Sequence, residues 1–269
     1  MSATRSSFGA GAAREGRVVL ALGARSLRTQ FRRAQLLMPT FVLPLMLLAV
    51  IASGTSAAQG LRGFPDIASY LGFVLPGTLI QGALLAGLTS GTALAGDIEQ
   101  GFFDRLLVAP VRRTSLVLGR LAGTLGLSVL QSTFFLLVCL LFGARYPGGI
   151  GAVVVVVVLA AITAVALGGF AAAIALRTGS LSLMQSIFPL VFVLLFTAPA
   201  FVPRDLLAPA LQDVAQFNPL TYVVEAARGL LTGDGSIGDP LTGFLAAIGL
   251  AVFTVLLADL ALRERLRTA

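Results

Sequence analysis

The chain has 269 residues, of which 57 % are hydrophobic and only 12 % charged, with a formal net charge of +7 and a mean hydropathy of +0.95. An ordinary soluble domain is about a quarter charged, so a water-soluble globule is excluded and the composition is that of an integral membrane protein. All 19 basic residues are Arg, His and Lys are absent, and Cys139 is the single cysteine, which removes imidazole catalysis, His-ligated metals, a P-loop lysine, Schiff-base chemistry and intrachain disulfides.

Residues 1–33 lack a separate apolar core with a small-residue cleavage site, so the first apolar run reads as an uncleaved anchor. Within this segment Arg14, Arg17, Arg25, Arg28 and Arg32 keep to one helical face, and Val19, Leu20, Leu22, Leu27 and Phe31 fill the rest. The pattern predicts an amphipathic helix lying on the inner leaflet with its Arg row toward headgroups. The alternative is a basic flank that only enforces topology.

Runs free of Asp, Glu and Arg then locate the bilayer: 34–61, 67–96, 121–144, 146–176, 178–203 and 240–258. Each reaches the ~18 residues expected of a spanning helix, because ~20 residues at ~1.5 Å cover ~30 Å of hydrocarbon. The expectation is an all-α membrane protein with six transmembrane helices, at about 35–55, 68–95, 116–143, 150–176, 181–203 and 241–260. They form a domain over 34–260 with a short tail, 261–269, behind it. Solid apolar blocks such as VVVVVVLAAI do not fit the alternating strands of a membrane barrel. Six spans put 15 of the 19 Arg on the side of the two termini, so the positive-inside rule places both ends in the cytoplasm. The basic charge lies along a membrane face, which argues against nucleic acid as a partner. Gly87/Gly91 and Gly119/Gly123 stand four apart and allow close helix approach. No acid sits within a span, which weighs against a proton- or sodium-coupled carrier and against a membrane-embedded enzyme.

The second cytoplasmic loop reads GDIEQGFFDRLLVAPVRRTSLVLGR, 96–120. Asp97, Glu99, Asp104 and Arg105 surround an apolar patch of Phe102, Phe103, Leu106 and Leu107, and Pro110 ends the short helix. Such a patch can seat in a groove of another protein, with the charges setting register; an interfacial turn held by lipid is the other reading. The last external connection, 204–239, contains FNPLTYVVEAARGLLTG. Asn218 is the expected N-cap, Pro219 the first helical residue and Gly233 the stop. Val223, Val224, Ala227, Leu230 and Leu231 form an apolar stripe, and Glu225 and Arg228 stand three apart as a pair on the opposite face. The segment reads as a short helix in the outer leaflet or over the mouth of the bundle.

Taken together and in this order, the two segments resemble the signatures of ABC-type-2 permeases, the membrane subunits of ABC exporters. The first is carried by Glu99, Gly101, Leu106–Leu107 and Pro110–Val111, and the second by Asn218, Pro219, Leu220, Thr221 and Tyr222 through Arg228. The Asp104–Arg105 pair is similar to that of the daunorubicin-resistance-like drug exporters. The resemblance implies no catalytic residue, metal site or cofactor in this chain. ATP and Mg would be bound by a separate ABC ATPase subunit, on a permease homodimer or heterodimer in a bacterial plasma membrane. Residues 97–109 would be the coupling helix, and the 218–232 helix, with Asn218, Pro219, Tyr222, Glu225 and Arg228, would cap the exit. The cargo would be a hydrophobic or amphipathic drug, lipid or secondary metabolite. A lipid-linked polysaccharide exporter, or a membrane scaffold or channel subunit, are the alternatives.

Overall fold

The computed structural model describes residues 3–32, 34–55, 70–107 and 113–268. Every regular element among them is helical: α1 (Ala3–Arg32), α2 (Ala34–Thr55), α3 (Tyr70–Glu99), α4 (Phe102–Leu107), α5 (Arg113–Leu141), α6 (Gly149–Thr178), α7 (Leu181–Phe196), α8 (Pro209–Phe217), α9 (Pro219–Thr232) and α10 (Pro240–Thr268), with one 3-10 turn at Arg204–Leu206. Together with the apolar composition this is a multi-pass membrane protein.

α3 is the axis. Every residue from Gly72 to Leu88 is buried, because α2, α5, α6, α7 and α9 surround it. Glycine permits a close approach to α6: a Cβ on Gly87 would come within 2.7 Å of the Gly168 nitrogen, and one on Gly91 within 2.5 Å of the Ala171 Cβ. The predicted close-packing role of Gly87/Gly91 is therefore the α3–α6 seam. The outer faces of α2, α5, α7 and α10 carry exposed Met46, Leu137, Leu190 and Leu256, which only hydrocarbon can solvate at low cost.

Four helices, α3, α5, α6 and α10, are each long and apolar enough to cross a membrane. α1 and α2 form a pair bent by 74° that would supply a fifth crossing. The expectation of six independent spanning helices is thus only partly met. The fifth apolar run is the shortfall: expected over 181–203, its helix α7 stops at Phe196 after 16 residues, about 24 Å at ~1.5 Å per residue. Pro199 and Pro203 follow; each lacks an N–H and drives its predecessor out of helical backbone. At the other end α10 runs on to Thr268, so most of the expected tail continues the last helix, with Arg265 and Arg267 in the final turn, where cations favour the helix dipole.

Candidate functional site

Two polar junctions close the bundle, one at each end of α3. The first joins the C-terminal ends of α3, α6 and α10 to α4 and to the start of α5 and α7. α3 ends at Glu99, and Gly101 turns the chain with φ +66°, its amide donating to the Ile98 carbonyl at 2.9 Å. This left-handed stop is open only to residues without a Cβ penalty, and it lets α4 fold back beneath the bundle. The two flanks of α4 are clamped to each other: Arg120 of α5 donates to the Asp97 carboxylate of α3. Glu99 is exposed yet already engaged. Its Oε1 accepts from the Leu181 backbone N–H at 2.7 Å, at the positive N-terminus of α7, where Ser180 is the N-cap. Arg177 of α6 makes a two-bond pair with Glu264 of α10, at 2.9 and 3.1 Å. Arg120, Arg177, Ser180 and Glu264 were not singled out in the sequence. Arg120 and Arg177 are lone charges at the limits of apolar runs, a signal the sequence held, whereas Ser180 and Glu264 stand among other polar residues and carry no such mark.

The expected docking patch divides. Phe103 is 2 % exposed and belongs to the core. Phe102 is half-buried, with the Arg25 guanidinium 4.8 Å from its ring centroid. The aromatic pair therefore serves the chain's own packing, while Arg105 is exposed. Pro110 lies outside the described residues, as do the side chains of Asp104, Leu106 and Leu107.

α1 is seated by the second small-residue pair. A Cβ on Gly119 would meet the Leu22 Cβ at 2.5 Å, and one on Gly123 the Ser26 Cβ at 2.8 Å. Arg17, Arg25, Arg28 and Arg32 are exposed, although Arg25 is drawn to Phe102 and so departs from the expected headgroup-facing row. The Arg14 side chain lies outside the described set. A small cavity of about 110 Å³ remains among Arg25, Gln30, Asp97, Phe103 and Arg120.

The second junction is built on α9, outside the spanning helices. Asn218 Oδ1 accepts from the Leu220 N–H at 2.9 Å, Pro219 opens the helix and Gly233 closes it at φ +73°, all as the sequence indicates. Asn218 Nδ2 also donates to the Leu194 carbonyl at 2.6 Å and to the Thr197 hydroxyl at 3.0 Å. One side chain therefore caps the start of α9 and the end of α7. Tyr222 donates to the Gln216 carbonyl at 2.8 Å, which ties α9 back to α8.

The expected Glu225–Arg228 pair is absent among the described residues. Arg228 turns inward and is 1 % exposed. Its Nε donates to the Phe73 carbonyl at 3.1 Å, and one Nη to the carbonyls of Pro199 and Ala200 at 2.8 and 3.0 Å. The guanidinium lies 4.1 Å from the Phe73 ring centroid. The physical reason is the turn after α7: the Pro199 and Ala200 carbonyls stand in non-helical backbone beside the start of α3, and a planar guanidinium can reach several carbonyls at once. Burial lowers the Arg228 pKa to about 10, with Glu225 opposing, so the group stays charged at neutral pH. Burial also holds the Glu225 carboxyl above its ordinary range, against the pull of Arg204 and Arg228.

The ABC-2 type transporter family model matches residues 17–232, a stretch that contains both junctions apart from Gly233 and the α10 residue Glu264. A putative transport permease of Porphyra purpurea is 28 % identical over 200 residues, 74 % of this chain and 68 % of that protein. A daunorubicin resistance ABC transporter permease protein of Streptomyces coeruleorubidus is 28 % identical over 194 residues, 70 % of this chain and 67 % of that one. A probable doxorubicin resistance ABC transporter permease protein of Mycobacterium tuberculosis is 23 % identical over 167 residues, 61 % and 60 % of the two chains.

Proposed function

This chain belongs to the ABC-2 type transporter family, and on that premise we propose that it is the permease subunit of an ATP-driven exporter for a hydrophobic or amphipathic cargo. The family implies an ABC ATPase partner in general, and the absence of any Lys from this chain agrees with ATP being bound elsewhere. The observation that carries the reading is the α4 junction. A short helix is gripped from both sides by Asp97–Arg120 and from α1 by Arg25 over Phe102. A push on it is therefore delivered to α3, α5 and α1 together, rather than lost in a loose loop. Arg105 offers the exposed charge for docking, and the buried Phe103 is the pin that transmits the load. The exposed Arg17, Arg28 and Arg32 face headgroups of the cytoplasmic leaflet. α9 caps the far end, and two copies of the permease, in a bacterial plasma membrane, bracket the pathway.

The test is reconstitution. Co-expressed with an ABC ATPase from the same genome that serves as its partner, the chain should retain that subunit through detergent purification. Vesicles holding both should move daunorubicin only when ATP is supplied. Movement by this chain alone with ATP, or a stable chain that retains no ATPase, defeats the proposal.

A further inference from the structure

The cavity of about 110 Å³ beside α1 has walls from α1, α3, α4 and α5. One water needs only ~10–15 Å³ of such space, so a group of several heavy atoms fits. Its polar lining carries both signs. Arg25 and Arg120 are cations, and the Asp97 carboxylate accepts from Arg120. A carboxylate has about four acceptor positions, so that bond leaves capacity. Gln30 adds a further acceptor, since its Oε1 is buried and makes no hydrogen bond. A buried amide oxygen without a donor is uncommon and costs stability unless another molecule supplies one.

The chain's own donors at this place are committed elsewhere. The Thr29 hydroxyl donates to the Arg25 carbonyl at 2.9 Å, and Arg120 donates to Asp97. The Arg25 guanidinium lies over the Phe102 ring, and a guanidinium so placed still has N–H groups to give an anion. The cavity therefore wants a donor for Gln30 and Asp97 and can hold an anion with Arg25. Its surroundings are amphipathic. α1 exposes Leu20 and Phe31, and α5 exposes Leu118 and Leu125, so hydrocarbon adjoins the two helices between which the polar cavity lies. Polar groups of both signs next to a face for acyl chains fit an amphiphile better than a soluble ion.

We propose that this cavity is a binding site for the headgroup of an aminophospholipid of the phosphatidylethanolamine class, with the phosphate on Arg25 and the primary ammonium on Asp97 and Gln30 Oε1. A primary ammonium carries three N–H donors, enough for both acceptors. The quaternary ammonium of phosphatidylcholine has no N–H to give Gln30. The glycerol headgroup of phosphatidylglycerol has hydroxyls but no positive charge for Asp97. A lipid seated here links α1 to α3 and α5 through its headgroup, beside the Asp97–Arg120 pair. The site goes beyond the permease reading and uses no contact with an ATPase.

The experiment takes the full chain, delipidated in detergent, and adds dioleoyl phosphatidylethanolamine, phosphatidylcholine or phosphatidylglycerol at equal mole fraction. Native mass spectrometry reads the lipid retained, and a melt reads its effect on stability. Phosphatidylethanolamine should be retained about tenfold more than phosphatidylcholine, the worth of one charge-assisted hydrogen bond, and should raise the melting temperature. Gln30→Leu should erase that preference, and Arg25→Gln should weaken retention of phosphatidylethanolamine and phosphatidylglycerol alike. Equal retention of phosphatidylethanolamine and phosphatidylcholine by the unaltered chain overturns the ammonium contact, whether or not any variant folds. Tighter retention of phosphatidylglycerol shows a site for anions alone and overturns the proposal. No retained lipid shows a cavity that holds water only and overturns it too. Displacement of the lipid by free phosphoethanolamine at equal concentration assigns the site to a soluble phosphate ester and overturns the lipid source. A Gln30→Leu chain that folds and keeps the full preference overturns the Gln30 contact.

Discussion

Replacing Arg228 by Met removes, at nearly constant volume, a buried cation that closes the α9 end of the bundle. Three charge-assisted hydrogen bonds, to the carbonyls of Phe73, Pro199 and Ala200, are lost at about 1.5–3 kcal/mol each. The cation–π contact with Phe73 adds about 2 kcal/mol where water is excluded. Against this, the native state no longer bears the several kcal/mol needed to desolvate a guanidinium. The net loss comes to about 3 kcal/mol, or a fall of roughly 6–12 °C in melting temperature for a domain of this size. Arg228→Lys keeps the charge but not the planar fork, and a single ammonium cannot reach carbonyls on α3 and beyond α7 in the same way. It should therefore fall between wild type and Arg228→Met. The chain supplies its own reporter, since Cys139 is its single cysteine and is buried; a thiol-reactive fluorophore then reads unfolding in detergent. If Arg228→Met melts within a degree of wild type, or Arg228→Lys melts as low as Arg228→Met, the carbonyl cradle is not what holds this end closed.

Other substitutions probe the remaining joints. Phe103→Ala empties a buried ring position and should cost about 3–5 kcal/mol in stability, whereas Arg105→Glu should leave the melting temperature unchanged and reduce ATPase retention; the same co-purification and melting assays separate the two. Gly123→Leu cannot coexist with the present Ser26 contact, so α1 should detach from α5, read as faster proteolysis within residues 15–32 while α5 and α6 stay protected. The raised pKa of Glu225 means that the folded state binds its proton more tightly than the unfolded chain. Stability is then greatest at low pH and declines as pH climbs from the ordinary carboxylate value through the elevated one. Glu225→Gln should flatten that decline in a series of melts above pH 4.5, and a slope identical to wild type would assign it to another group.

The sequence was most legible where a single residue type has one physical use. Asn218, Pro219 and Gly233 mark the limits of α9 because an N-cap, a first-turn proline and a left-handed stop each have few substitutes. Of the stripe Val223, Val224, Ala227, Leu230 and Leu231, all are buried except Leu230, which is half-buried. The small-residue pairs found their neighbours for the same reason. Legibility failed where apolar content stood in for helix. Residues 197–203 are as oily as the run before them, yet Pro199 and Pro203 end α7 early, and hydropathy is blind to the carbonyls so freed. Arg228 could not be placed from spacing either. Its distance from Glu225 permits a pair, but the orphaned carbonyls that outbid the carboxylate lie some 28 residues away in sequence. Phe103 escaped because an amphipathic patch does not say which of two available surfaces it covers.

The consequence for mechanism lies in how α3 and α7 are joined. α3 has 30 residues, a rod of about 45 Å at ~1.5 Å per residue, with Asp97 and Glu99 at one end and Phe73 near the other. α7 is fastened beside it at its N-terminus by Glu99, and at its C-terminal side through Asn218 and Arg228. Between those ends it presents apolar side chains to α3 and apolar side chains to lipid. In a bilayer such faces gain little from one another relative to hydrocarbon, since lipid tails solvate them equally well. The polar ties at the ends therefore set the energy of separating the two helices, while the middle contributes mainly packing. A device of this kind is switched by exchanging a few hydrogen bonds at its ends rather than by repacking its length. The two ends differ in access: Glu99 is exposed beside α4 at one end of the bundle, whereas Arg228 is buried beneath α9 at the other.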